Sequence, residues 1–498
     1  MQEKTPVTRT LEENIAHMEE LFAVCDDIKK KKFCLGKCMD VPCYLTFIEV
    51  SVDMGTSSLG ELLKYFNTLE REKIYEALEK NALGVSDATY FESIEEAADG
   101  LLTGECILFV EGFNKAVKIP DDGYPSMGIN EAVSEKVIRG SSEGFSDSVK
   151  QNAALIRKRI RSPKVKVKEI KAGVRSKTNV YLVYMEDLIY PQVLTEIERR
   201  LSDFEVDGVL DSGVLEQLAE DKWYSPFPQF QTTERPDRAA MSVLEGRIIL
   251  LSDNSPVGLI LPTDYNSFIR TRDDYYNRWE VASFARILRY VASFFAMTLP
   301  GLYLAVTNFH TQILPTSLML SFAEARAGVP FPAVVEVLIM ELSFELLREA
   351  GVRLPGAMGN TIGIVGGLII GQAAVEANLV SSIVVILISF TALCSFAIPN
   401  EEFASAFRLL KFFFIAVCAW LGFFGLLAGL LFVLLHLSHL KSFGIPYMMP
   451  FVGADVTDYE DERDFLWRLP MRELKKRPIY ARRDKRTRLR FFGERKKK

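Results

Sequence analysis

Apolar positions before Trp279 come in short runs that alternate with polar ones; beyond it, four long stretches carry no Asp, Glu, Lys or Arg. Phe412–Leu440 is the clearest, 29 uncharged residues built mainly from Phe, Leu, Ile, Val, Ala and Gly. A helix rises 1.5 Å per residue and about 20 apolar residues cross a hydrocarbon core, so these stretches predict membrane helices. A kinked span is expected at 287–309, broken by Pro300-Gly301, with residues 313–350 either interfacial or re-entrant. Further spans are expected at 356–376, 379–399 and 411–438. Ala333–Arg348 is amphipathic, with Glu336, Glu341 and Glu345 opposite Val334, Val337, Leu338 and Leu342. Four crossings would keep both ends on one side and leave 324–353 on the other.

The polar half shows a duplication. Cys43-Tyr-Leu-Thr-Phe-Ile-Glu49 resembles Val180-Tyr-Leu-Val-Tyr-Met-Glu186, and Leu102–Val110 aligns with Leu244–Ser252. The offsets are 137 and 142 residues. Each copy reads strand, helices, then a strand pair around a turn. The expected fold class is therefore two similar α/β subdomains (1–130 and 131–278), an all-α polytopic membrane domain (279–440) and a basic tail (441–498).

Charge sharpens this picture. The net charge of −6 conceals about −12 in residues 1–278 and +8 in 441–498. Lys and Arg near span ends stay in the cytoplasm, so the tail marks the cytoplasmic side. The start, Met1–Asn14, lacks an apolar signal core, which puts the other end there too. Lys150–Lys177 carries 11 basic residues against Glu169 alone. It could meet lipid headgroups or an acidic neighbouring subunit, or be a solvated face; with few interleaved aromatics, nucleic acid is not expected. Cys25, Cys34, Cys38 and Cys43 cluster, but their spacings fit no zinc pattern well, and small buried hydrophobes are the plainer reading.

Function is sought in the helices. Gly359, Gly363, Gly367 and Gly371 recur every four residues, a ridge that lets helices approach closely in lipid. On another face lie Ile362, Val365, Ile369, Gln372 and Glu376. In a ring of copies this stripe would line a pore, with an apolar constriction and a wetter end; otherwise Glu376 marks the membrane edge. Glu336, Glu341 and Glu345 would form an acidic vestibule in such a ring, or the wet face of an interfacial helix in a single chain. No metalloprotease, Walker, nucleophile-elbow or dinucleotide motif is present, so neither an enzyme nor a cofactor is expected.

Several segments together resemble the A subunit of the GerA-type spore germinant receptors of endospore-forming bacteria. They include Glu143-Gly-Phe, Leu155-Ile-Arg-Lys-Arg-Ile160, Ser225-Pro-Phe-Pro-Gln229 and Thr233-Glu-Arg-Pro-Asp237. Leu299-Pro-Gly-Leu-Tyr303, Gly328-Val-Pro-Phe-Pro332, Gly371-Gln-Ala-Ala-Val-Glu376 and Ser442-Phe-Gly-Ile-Pro-Tyr447 continue the likeness, which covers roughly residues 100–450. The resemblance implies a nutrient-sensing complex in the inner spore membrane with both termini in the spore core. It implies a transporter-like, germinant-binding B subunit and a lipoprotein C subunit as partners. It further implies a homo-oligomeric ring acting as a nutrient-gated cation channel; the alternatives are a secondary transporter or a non-conducting scaffold.

Overall fold

The computed structural model describes residues 4–51, 58–80, 88–120, 124, 131–132, 135, 140–353, 370–452 and 464–490. The polar half contains two five-stranded antiparallel sheets. The first takes β1 (Ile28–Leu35), β2 (Val41–Ile48), β3 (Thr89–Phe91), β4 (Cys106–Val110) and β5 (Ala116–Ile119), in the order β1-β2-β4-β5-β3. The second takes β6 (Val165–Ala172), β7 (Thr178–Met185), β8 (Gln231–Thr233), β9 (Ile248–Ser252) and β10 (Gly258–Leu261), in the order β6-β7-β9-β10-β8. Each strand of the second follows its counterpart by 137 residues for the first pair and 142 for the other three. The five extra residues fall in the helical connection between the second and third strands, where an insertion leaves the strand pairing intact.

Both faces of each sheet are covered, which is why β4 and β9 read as unbroken apolar runs. In the first, Tyr44, Ile107 and Phe109 pack with the helices 11–21 and 94–102, while Leu45, Phe47 and Leu108 pack with 58–66 and 71–79. A matching device opens the first helix of each copy. Asn14 accepts from the Thr8 amide at 2.9 Å and donates to the Thr8 carbonyl at 2.7 Å. Asn152 does the same to Ser146, at 2.8 and 2.6 Å. The copies are joined by a buried pair, Arg157 donating to Asp27 at 2.9 Å, and by backbone bonds such as the Asp26 amide to the Val167 carbonyl.

The basic run around this junction is absorbed within the chain. Lys158 and Arg159 pair with Glu143, Lys150 with Glu49, Lys164 with Asp187 and Lys168 with Glu198. Cys25 and Cys43 are buried in the first copy, whereas Cys34 and Cys38 are exposed.

Among the described residues of the apolar half, two helices are long and apolar enough to cross a membrane: Trp279–Phe309 and Glu401–His439. Pro300 stays inside the first without ending it. The second corrects the sequence expectation, because 411–438 is not one continuous span. Gly422 sits at φ 61°, ψ −138°, outside helical space, and the chain folds back there. A Cβ on Gly429 would lie 2.8 Å from the Phe414 ring, and Phe413 stacks near Phe432 at 5.9 Å between centroids. In a straight helix residues 15 apart sit about 22 Å apart, so the two arms, 401–421 and 423–439, lie side by side. Glycine is required at the turn: a side chain there would be strained, and its Cβ would meet the Phe309 ring at 2.8 Å.

The other helices align with this hairpin. Gly301 faces Phe414 and Cys418, and Phe309 faces Gly422, so the 279–309 helix runs parallel to the first arm. Ala333–Arg353 and Ser382–Phe396 run parallel to one another, since Glu336 meets Ser381 and Arg348 meets Ser395. Both oppose the first arm.

Candidate functional site

The helical layer encloses charge. Glu341, on the 333–353 helix, is 1% exposed and accepts a hydrogen bond from Lys411 of the first hairpin arm. Lys411 also donates to Glu345 at 3.2 Å, and Arg408, one turn earlier, lies 3.7 Å from Glu345. Glu341 and Glu345 stand one helical turn apart, so one cation reaches both. Near the other end of that helix, Glu336 is fully buried. It accepts from Arg326 at 3.2 Å and from the Ser381 amide at 3.0 Å, where the 382–396 helix begins. Arg348 closes the row with a bond to Ser395 at 3.1 Å and its guanidinium 4.7 Å from the Phe396 ring centre.

These placements correct the reading of Glu336, Glu341 and Glu345 as an open vestibule or wet face. Within the chain Glu336 and Glu341 point inward, and all three are matched by cations. An ionised carboxylate in an apolar layer is costly, and Lys411 and Arg326 offset that cost. Sequence reading missed these partners because Lys411 lies 70 residues from Glu341. A hint was present: Lys411 stands at the very border of a 29-residue uncharged run.

The glycine-notched segment is only partly in view. Ile362, Val365, Ile369, Gly359, Gly363 and Gly367 lie outside the described residues. Gly371 is buried, and a Cβ there would approach Val385 at 3.2 Å, so this last notch seats the 382–396 helix of the same chain. Gln372 and Glu376 are both exposed, with the Gln372 amide donating to Glu376 at 2.9 Å. Glu376 has no cationic partner among the described residues, in contrast with the neutralised acids behind it.

The junction with the polar half is equally well defined. Asp274 accepts from Arg289 at 2.6 and 2.9 Å and from Arg286 at 3.4 Å. Burial alone would raise its pKa; the Arg289 bonds and the two guanidinium charges outweigh that and hold the carboxyl below its usual range. Arg286 also donates to Asp464 at 2.7 Å, tying the tail to the start of the first long helix. The rest of the tail follows suit: Tyr447 donates to the Pro228 carbonyl and Arg482 to the Ile189 carbonyl. Both ends of the hairpin converge on Phe227, whose ring lies 5.9 Å from Phe403 and 6.2 Å from His436.

A duplicated α/β module fused to an apolar helical layer with neutralised internal charge defines a membrane-associated protein with a large soluble-type domain. The chain belongs to the GerA family: the family model "Bacillus/Clostridium GerA spore germination protein" matches residues 16–480. That span is wider than the resemblance in its motifs, reaching both the first helix and the folded tail. Among relatives, the chain is 37% identical over 473 residues to spore germination protein A1 of Bacillus subtilis, covering 94% of this chain and 96% of that one. It is 36% identical to spore germination protein KA of the same organism (95% and 87% covered), and 38% identical to its uncharacterized membrane protein YfkQ (95% and 91%). Among solved structures, the N-terminal domain of the A subunit of the Bacillus megaterium spore germinant receptor GerK3 is similar at 26% identity and a TM-score of 0.42, covering 52% of this chain and 98% of that one.

Proposed function

We propose that this chain acts in spore germination as the A-type subunit of a germinant receptor, with several copies ringing a water path that nutrient sensing opens. Family membership supports the germination role. The channel reading rests on one observation: Gln372 and Glu376 are exposed on a segment that continues an apolar stripe, while Glu336, Glu341 and Glu345 are paired with cations of the same chain. An exposed amide and carboxylate at such a position call for water or a neighbouring subunit. Copies brought together along this segment would set Ile362, Val365 and Ile369 as an apolar constriction, with Gln372 and Glu376 at its wetter end. Gly359, Gly363 and Gly367 would supply close contacts between helices.

The 354–376 stretch, the two long helices and their companions would cross an even number of times, leaving both termini in the spore core. A B subunit would bind the germinant and a lipoprotein C subunit would complete the complex. Ligand energy reaches the pore only if the open and closed arrangements differ in germinant affinity. A transporter would need coupled uptake, and a scaffold no flux. The deciding experiment is Val365→Ala at normal receptor level. Spores carrying it should leak cations and germinate without nutrient; dormant, normally responsive spores would mean the constriction is misassigned.

A further inference from the structure

At the junction of the second α/β copy with the helical layer lies a cleft of about 240 Å³, far above the ~15 Å³ a single water needs. Arg235, Arg238, Arg270 and Arg272 line it, beside Phe268 and the helix-capping Asn400. The carboxylates on its wall are those of Glu135 and Asp273, so the lining carries two net positive charges. Two of the arginines are already matched: Arg235 pairs with Asp237 at 2.9 Å, and Arg238 with Glu135. Arg270 and Arg272 are not. Among the described residues no carboxylate lies within the 4.0 Å of an ion pair from either one. Arg272 donates to the Arg238 carbonyl at 2.9 Å, Arg270 donates to the Asp464 carbonyl, and the buried Arg270 Nε has no partner. Burial holds the Arg272 pKa below its usual value, with Arg238 adding to the effect and Glu245 opposing it.

We infer that this cleft binds a phosphate-bearing anion, held by the free guanidinium faces of Arg270 and Arg272. Arginine presents a planar fork of donors that matches phosphate oxygens in pairs, and an anion here would supply the counter-charge the cleft lacks. Because the apolar arm begins at the same place, the phosphate could belong to a lipid headgroup or be free in solution.

The test uses the full chain in phosphatidylcholine nanodiscs, with Arg272→Gln compared against wild type and against Arg175→Gln, an exposed control. Inorganic phosphate is titrated by calorimetry, and phosphatidylglycerol retained through detergent washing is counted by native mass spectrometry. Arg272→Gln should weaken one of the two by about tenfold or more, the loss of one charge-assisted bond. The probe that responds identifies the source. Arg270→Gln should repeat the loss, and melting temperatures matched to wild type exclude unfolding as its cause. Binding of neither probe, or equal binding by wild type, Arg270→Gln and Arg272→Gln, overturns the assignment.

Discussion

Replacing Lys411 by Met removes the cation shared by Glu341 and Glu345. Glu341 keeps no cationic bond, since its Oε1 has no partner even in the intact chain. Glu345 retains Arg408 at 3.7 Å. Breaking a buried pair from one side costs about 3–5 kcal/mol, because the surviving charge stays out of water. If the helical layer melts as a unit of roughly 150–250 residues, where each kcal/mol moves the midpoint about 2–4 °C, Lys411→Met should lower it by roughly 6–20 °C. Adding Glu341→Gln removes the stranded carboxylate and should recover most of that loss. Glu341→Gln alone should be milder, because Lys411 still has Glu345 at 3.2 Å. The assay is thermal unfolding of all four proteins in one detergent, read as a double-mutant cycle. A double variant that falls as far as the two single losses together would refute the internal pairing and restore the open-vestibule reading of these acids.

Two further outcomes follow from other parts of the molecule. Gly422→Ala forces a side chain into a backbone conformation costing about 1–3 kcal/mol and against the Phe309 ring, so the hairpin should lose proximity between cysteine labels placed at Phe413 and Phe432; unchanged crosslinking yield would count against the fold-back. Burial, with Glu402 and Glu220 nearby, pushes Glu216 up to about 8. A carboxyl raised above its unfolded value binds its proton more tightly when folded, so stability should fall as pH rises from about 4.5 through about 8. Glu216→Gln should flatten that slope in melting curves recorded from pH 5 to 9, and an unaltered slope would place the titration elsewhere.

The polar half was legible because strand and offset carry the same message. Cys43–Glu49 against Val180–Glu186 and Leu102–Val110 against Leu244–Ser252 already contained the 137- and 142-residue steps that the sheets obey. The fold-back at Gly422 was hidden, because glycine is ordinary in membrane helices and a 29-residue uncharged run reads as one span. What reverses it is a backbone angle, which composition does not report. The internal acids were misread for another reason: the amphipathic pattern shows that a face is polar, but whether it meets water or Lys411 depends on a helix 70 residues away. The basic run Lys150–Lys177 likewise meets acids of its own chain, and Asp27 lies 130 residues from Arg157.

Phe227 touches the opening and the closing turns of the hairpin at once. It stands on a loop that runs directly into β8 of the second sheet and is held to the segment after the hairpin through Ser442, which donates to the Gln229 carbonyl, and through Tyr447. A tilt of the soluble half therefore cannot pull one arm and leave the other behind. Both move like the legs of a wishbone gripped at the fork's open end, so displacement is delivered to the tip at Gly422 and Phe309 on the far side of the layer.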